Sequence, residues 1–487
     1  MQNFDRFRKT ARSELSDRSA VFGILEFTFR KDPIMSTIAA IATPPATGGI
    51  SVIRISGGNA LDIAAQIFKP ISGKPVAEMK GYTAAYGNIF GKDGERLDDG
   101  VLLVFRAPHS YTGENTAEIT CHGGILITRR VLRACFDAGA EPAGAGEFTK
   151  RALLSGKMTL TQAEAVADII NSKSDQFLKC AAAQLDGALY RKIAGIKQTI
   201  LDIAAEISAW IDYPDELDSF EISSKVGQLT DCRLKLKLLI ESFDVGQALR
   251  DGITAAIVGK PNVGKSTLMN LLVGCERSIV TDIEGTTTDI IEENVILGGT
   301  LLKIADCAGI RETDNPVEKI GVIKMEKRLE QSQLIFAVFD YSRPLEAEDY
   351  KLIEKIKGKN VLCVINKLDL ENKLDMAYLA AKFGRVTEIS ANDPKSLKIL
   401  NDTVGKLINP EKLDISAGFI ANERQRTAAL NAEKSIEAAI EGINQGITLD
   451  ATGVMLENAL DSLMELTGER VSDEIIDNVF KRFCVGK

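Results

Sequence analysis

The sequence predicts a multidomain α/β protein: an N-terminal α+β domain, then a helical domain in two separated segments, with a P-loop α/β domain inserted between them. Three observations predict it. Leu189, Ile193, Ile196, Ile200, Ile203 and Ile207 recur at alternating spacings of four and three, which puts one apolar stripe on a long helix. Between residues 250 and 408, short apolar runs alternate with helical segments, the pattern of a mainly parallel sheet. Helical sequence rich in Ala, Glu and Leu returns after residue 411, so the α/β domain interrupts a helical one.

Each segment has its own reason. Residues 1–34 mix Arg6, Arg8, Lys9 and Arg12 with Asp5, Glu14 and Asp17. They lack the apolar centre of a secretory signal and carry more acid than a mitochondrial transit peptide. Met35 offers a second start, since strand-like sequence follows it at once, and no role is assigned to what precedes it. In residues 35–153, two β-branched runs flank the Pro-Pro and Gly-Gly of Thr43–Gly49, which reads as two strands and a constrained turn. Further strands are expected at Gly100–Phe105 and Ala117–Thr120. Residues 154–249 hold the first helical segment, broken near Tyr213-Pro214 because proline disfavours helix before it. Residues 250–408 place strands at Thr254–Val258, Leu302–Ala305, Leu334–Phe339 and Val361–Ile365. Residues 409–487 form the second helical segment and end in Phe483-Cys484-Val485-Gly486-Lys487.

Composition excludes several classes. At about 100–200 residues per domain, 487 residues make about three domains. With 45% hydrophobic residues each can bury a core, which excludes disorder. The net charge of −9 argues against a generic polyanion binder, so nucleic-acid contact needs a local basic patch or a partner. Eight cysteines without a C-x-x-C pair argue against a disulfide scaffold or zinc ribbon and fit a reducing cytoplasm. Only His109 and His122 are available for a histidine-built metal site, which makes one improbable. No apolar run approaches the roughly 20 residues that span a bilayer, so no membrane role is expected.

The chemistry sits in ordered motifs. Gly259-Lys-Pro-Asn-Val-Gly264-Lys265-Ser266 fits G-x-x-x-x-G-K-[ST], with a strand before it and a helix after it. Glycines let backbone amides approach phosphate oxygens, and the helix N-terminus adds positive potential. Asn262, Val263, Gly264, Lys265, Ser266 and Thr267 are the expected phosphate contacts, Lys265 for the β/γ-phosphates and Ser266 for Mg²⁺. Asp306-Cys307-Ala308-Gly309 fits D-x-x-G, with the aspartate in the Mg²⁺ shell and the glycine amide sensing the γ-phosphate. Asn366-Lys367-Leu368-Asp369 fits N-K-x-D, whose carboxylate accepts two hydrogen bonds that guanine offers and adenine does not. Ser390-Ala391 follows another strand as a base-contacting loop. Gly285-Thr286-Thr287-Thr288-Asp289 lies between the phosphate loop and Asp306, and Thr287 is expected to close over the γ-phosphate and complete the Mg²⁺ shell; Thr281, Asp282, Ile283, Glu284, Gly285 and Thr286 are further expected nucleotide contacts. The set describes a Ras-like P-loop GTPase domain that binds GTP.

The same residues limit the mechanism. The position after D-x-x-G, where Ras-like enzymes orient water with glutamine, is Ile310. Another polar group must act, and Glu312, Asp314 and Glu318 are the candidates; each alone would read as a solvated loop charge. No arginine stands out as an internal finger. A monovalent cation caged by Asn262 and oxygens near Thr281–Thr286 would supply the missing charge.

These motifs, with Tyr111-Thr-Gly-Glu114, His122-Gly-Gly, Gly146-Glu-Phe148, Leu160-x-Gln-Ala-Glu-Ala165 and the closing F-C-V-G-K, resemble the MnmE (TrmE) family of tRNA-modification GTPases over about residues 36–487. The resemblance implies an N-terminal domain that binds a tetrahydrofolate derivative (methylene- or formyl-tetrahydrofolate) and forms a homodimer, with Arg54, Glu118, Lys157 and Lys487 at the folate. It implies K⁺ held by Asn262, Thr281, Ile283 and Thr286, standing where an arginine finger would act. It selects Glu318 as the residue that orients water and Cys484 as a second catalytic residue, which faces the folate. It also implies a FAD-containing partner, MnmG. Together the two add a carboxymethylaminomethyl or aminomethyl group to carbon 5 of the wobble uridine of certain tRNAs. Three positions depart from the family pattern: Thr288 for arginine, Cys307 for threonine and Val485 for isoleucine. None removes a ligand. The alternative is an RNA-binding ribosome-assembly switch, which should carry a basic RNA-binding appendage; the C-terminal 77 residues are instead helical and partly acidic.

Overall fold

The computed structural model describes residues 36–213, 221–274, 292–306, 329–408, 418–481 and 483–486. The chain divides into two compact units. One takes everything through Ala163 together with the segment from Ser472 onward, and the other is Glu164–Val471.

The first unit is built on β1 (Ile38–Ile41), β2 (Ile50–Ser56), α1 (Ala60–Ile67), β3 (Phe68–Pro70), β4 (Thr83–Phe90), β5 (Arg96–Phe105), β6 (Thr116–His122), α2 (Ile125–Asp137), β7 (Glu141–Pro142) and α3 (Glu147–Leu154). The sheet order is β3-β4-β5-β6-β2-β1-β7, antiparallel except for β1 with β7. Alternation sorts the side chains. Ile53, Ile55, Leu102, Val104, Ala117 and Ile119 share a core with Ile63 and Ile67 of α1 and Val131 and Cys135 of α2. Residues between them, Arg54 and Glu118 included, therefore face the other side of the sheet.

Helix α4 (Leu160–Asn171) carries the chain across the boundary after Ala163, and the second unit goes on with α5 (Asp175–Leu185), α6 (Ala188–Asp212), α7 (Val226–Glu241) and α8 (Phe243–Asp251). The stripe read from the sequence is fully buried on α6, and each such Leu or Ile contributes about 1.5–3 kcal/mol of transfer free energy. It packs with Leu229 and Leu236 of α7 and with later helices.

The α/β part follows: β8 (Ile253–Val258), α9 (Lys265–Val273), β9 (Glu292–Leu297), β10 (Thr300–Asp306), β11 (Leu334–Asp340), α10 (Ala347–Lys355), β12 (Val361–Asn366), α11 (Met376–Phe383), β13 (Val386–Glu388) and α12 (Ser396–Ile408). Its sheet runs β13-β12-β11-β8-β10-β9, parallel except for the β9–β10 pair. Central strands are mostly apolar because both faces are covered: Ala255 and Ile257 join one core, Ala256 and Val258 the other.

Helices α13 (Glu423–Gln445) and α14 (Leu449–Thr467) return to the helical core through Ala428, Ala432 and Ile436 and through Leu456 and Leu463. The last helix, α15 (Asp473–Phe480), packs with the first unit instead. Phe480 and Phe483 stack with ring centroids 5.0 Å apart. Both lie so close to Gly146 that a Cβ there would stand within 2.9 Å of either. Among the described residues no helix is long and apolar enough to cross a membrane.

Candidate functional site

Two clusters of the expected residues form, one in each unit. In the second unit the loop Gly259–Gly264 leaves β8 and ends where α9 begins at Lys265. Asn262 and Gly264 take φ values of +65° and +98°, a left-handed path whose successive amides make an anion-binding concavity. A Cβ on Gly264 would stand 2.1 Å from Asn366 Nδ2, so the loop keeps a cradle that a side chain would fill. Lys265 Nζ donates to the carbonyls of Gly259 and Lys260, both at 2.8 Å, which stores its charge inside the loop. Ser266 is exposed at the start of the same helix. Asp306 ends β10 paired in register with Ile257, beside the strand that feeds the loop; its side chain lies outside the described residues. This donor set fits a nucleotide phosphate with Mg²⁺.

The base-side loop is tied to the phosphate loop directly. Asn366 is 2% exposed. Its Nδ2 donates to Val263 O at 2.9 Å, and its Oδ1 accepts from Ala391 N at 2.8 Å. Lys367 Nζ donates to Asn262 O at 2.7 Å and to Asp340 Oδ2 at 2.6 Å. Asp369 is exposed, and Ser390 Oγ donates to its Oδ1 at 2.7 Å. The carboxylate thus stands at the rim with capacity left for a base edge. Positions 281–287 and 307–309 and Glu318 lie outside the described residues.

In the first unit, Arg54 and Glu118 are register partners across β2 and β6. Arg54 Nε donates to Glu118 Oε1 at 2.8 Å. The guanidinium also lies 5.6 Å from the ring centroids of both Tyr111 and Phe148, so two aromatic faces orient it. Tyr111 shares a 2.9 Å hydrogen bond with Thr149. Burial pushes its phenol pKa up, and the Thr149 bond and Arg54 offset only part of this. Nearby, Arg151 is 2% exposed and donates to Glu114 and Glu147, while its buried Nε has no partner. An arginine beside a carboxylate and two aromatic rings fits a flat heterocycle with a carboxylate tail. Lys157 Nζ donates to Pro108 O at 2.9 Å rather than to that pair. Lys487 lies outside the described residues.

The terminal segment lies along the loop before α3. Gly146 N donates to Cys484 O at 3.3 Å, and Ala145 and Val485 form an antiparallel bridge. Cys484 is exposed, whereas Cys121, Cys135, Cys180, Cys232 and Cys363 are buried. Burial pushes the Cys135 and Cys363 thiols up to about 12 and the Cys180 thiol to about 11, so these stay protonated and inert. Sequence reading found Cys484 but not Tyr111, Phe148, Arg151 or Asp340 as parts of these clusters; their only signal was membership of short motifs or a strand end.

Comparison with known proteins gives the family. The family described as "MnmE helical domain" matches residues 160–484, and "GTP-binding protein TrmE N-terminus" matches residues 37–157. The tRNA modification GTPase MnmE of Thermoanaerobacter pseudethanolicus is 40% identical over 462 residues, covering 93% of this chain and 100% of the relative. That of Clostridioides difficile is 39% identical over 459 residues, with 93% and 100% covered. Among solved structures, the G domain of the T. maritima FeoB iron transporter is 24% identical with a TM-score of 0.26, covering 32% of this chain and 99% of that one. The chain belongs to the MnmE family of tRNA-modification GTPases.

Proposed function

We propose that this chain is a K⁺-dependent GTPase that works as a homodimer with a FAD-containing MnmG partner. The pair adds a carboxymethylaminomethyl or aminomethyl group to carbon 5 of the wobble uridine in certain tRNAs. The observation that carries the reading is the first unit's arrangement. The exposed Cys484 is hydrogen-bonded to Gly146, two residues before the Phe148 ring that orients the Arg54–Glu118 pair. The other unit supplies a guanine-nucleotide frame.

The residues divide the work. Lys265 and the loop amides hold the β/γ-phosphates, and Ser266, Thr287 and Asp306 hold Mg²⁺, which neutralises phosphate charge when bound. Asp369 reads the guanine edge, and Ser390 and Ala391 flank the base. Asn262 with Thr281, Ile283 and Thr286 holds K⁺ in place of an arginine finger, and Glu318 orients the attacking water. Arg54, Glu118, Lys157 and Lys487 hold a tetrahydrofolate derivative, the source of the one-carbon unit. Cys484 stands beside that site. With a net charge of −9, the chain relies on its partner for much of the tRNA surface.

The test reconstitutes the chain with MnmG, FAD, NADH, methylene-tetrahydrofolate, glycine or ammonium, GTP and K⁺ on unmodified tRNA, read by nucleoside mass spectrometry. Modified uridine, lost in Cys484→Ser and Glu318→Ala, is the expected result. Retained K⁺-stimulated GTPase activity with no modification, MnmG being active, would instead favour the RNA-binding switch.

A further inference from the structure

The exit of β11 grips the phosphate loop from both flanks. Asp340, the last residue of β11, is 4% exposed. Its Oδ2 accepts from Lys367 Nζ at 2.6 Å, while its Oδ1 accepts from Ser342 N at 3.0 Å and Ser342 Oγ at 2.7 Å. The same lysine donates to Asn262 O at 2.7 Å. On the other flank Lys260 Nζ donates to Glu346 at 2.6 Å and Asp349 at 3.2 Å.

Asn262 and Lys367 both take left-handed backbone, with φ values of +65° and +68°. Neither is glycine, and such residues persist there only where their surroundings over-determine them. The bond between the Lys367 ammonium and the Asn262 carbonyl joins the two strained residues. A lysine ammonium is a compact, strongly hydrated charge on a flexible stem, and it leaves for water unless a counter-charge holds it. Asp340 supplies that charge. Burial pushes its carboxyl up, but the Lys367 and Ser342 bonds outweigh this and hold it below the usual carboxylate range.

We propose that Asp340 is a positioning residue for nucleotide binding: it fixes the Lys367 ammonium on the Asn262 carbonyl and so holds the phosphate loop in its left-handed turn before nucleotide arrives. The inference rests on the reading of Gly259–Ser266 as the nucleotide loop. It places the effect on loop preorganisation, apart from base choice, which belongs to Asp369 at the rim.

The test measures GDP and xanthosine diphosphate affinities of the full chain, Asp340→Asn, Asp340→Glu, Lys367→Met and the Asp340→Asn/Lys367→Met double variant. Melting of the nucleotide-free proteins monitors the fold. Asp340→Asn should weaken GDP binding about tenfold, the loss of one charge-assisted hydrogen bond, with an unchanged preference for GDP over xanthosine diphosphate. Asp340→Glu, which keeps the counter-charge, should lie nearer the natural chain than Asp340→Asn. The double variant should be no weaker than Lys367→Met, because Asp340 acts through Lys367. Additive losses in the double variant, the reverse order of the two single variants, or an altered base preference would overturn the proposal. A natural chain that binds GDP while Asp340→Asn binds it equally well overturns this inference alone. A natural chain that binds no GDP overturns the nucleotide-loop reading and takes the inference with it.

Discussion

Asn366→Ala is the sharpest test of the nucleotide frame. The side chain bridges two loops: Nδ2 to Val263 O at 2.9 Å and Oδ1 to Ala391 N at 2.8 Å, both buried. Alanine removes both bonds and leaves a carbonyl and an amide without partners. At about 1–3 kcal/mol per orphaned buried group, the total cost is about 2–6 kcal/mol. The cost divides between the nucleotide-free fold, which already has the bonds, and binding, which needs Val263 and Ala391 held together. If half falls on binding, the loss is about 1–3 kcal/mol, or roughly 5- to 150-fold in affinity. The assay pairs a fluorescent-GDP titration with urea unfolding of the nucleotide-free protein. Lower urea stability with GDP affinity within about threefold of the natural chain, short of the roughly 5-fold minimum worked out above, would refute the argument, since the bridge would then be scaffold alone.

Three further outcomes follow from other parts of the molecule. Gly486→Ala has φ +97° and would put a Cβ 2.1 Å from Ile41 O, so the terminal segment must leave its seat. If the proposed function holds, wobble modification should fall at least about tenfold, as misplacement by an ångström does, while GTP turnover measured alone stays unchanged. Asp168 is buried, and burial lifts its carboxyl from 3.8 to about 6 although Arg250 lies 3.0 Å away. The folded state then binds a proton between those values that the unfolded state does not. Stability from this group is present below 3.8 and lost as pH rises through about 6, a change of about 3 kcal/mol at 1.36 kcal/mol per unit. Asp168→Asn should lack that slope when urea midpoints are compared across pH 4–7. Glu164 accepts from Arg424 at 2.9 and 2.8 Å and from Gln425 at 2.7 Å. Glu164→Ala strands that guanidinium and should cost about 3–5 kcal/mol in urea unfolding.

What was legible in the sequence was what depends on local spacing. The phosphate loop, N-K-x-D and the α6 stripe each lie within one contiguous stretch, so a strand before or a helix after is enough to read them. What was not legible depends on register between distant strands. Arg54 and Glu118 are 64 positions apart and meet only because β2 pairs with β6 without a slip; alone, each reads as a surface charge. Asp340 reads as the polar end of an apolar strand, and its partnership with Lys367 needs β11 and β12 to end level, Asp340 opposite Asn366. Tyr111 and Phe148 enter the sequence only as members of short motifs, and their rings come within 5.6 Å of the Arg54 guanidinium only in the fold.

The terminal segment shows why domain membership was harder to read than motif. α15 has the periodicity of any amphipathic helix, and Ile476 and Phe480 would serve a helical core as well as any other. Its place with the sheet is decided by backbone fit. The rings of Phe480 and Phe483 occupy the space a Cβ on Gly146 would fill, and Gly486 brings its backbone against Ile41 O in a conformation that L side chains rarely adopt. Between these two seats the chain is held by the Ala145–Val485 bridge, with Cys484 exposed. A thiol near the end of a 487-residue chain is thereby presented by three backbone contacts rather than left on a frayed terminus. Such anchoring is what a reactive group must have if its position is to matter. On the proposed function, a change at Gly486 therefore tests whether the position of Cys484 matters while leaving the thiol itself in the chain.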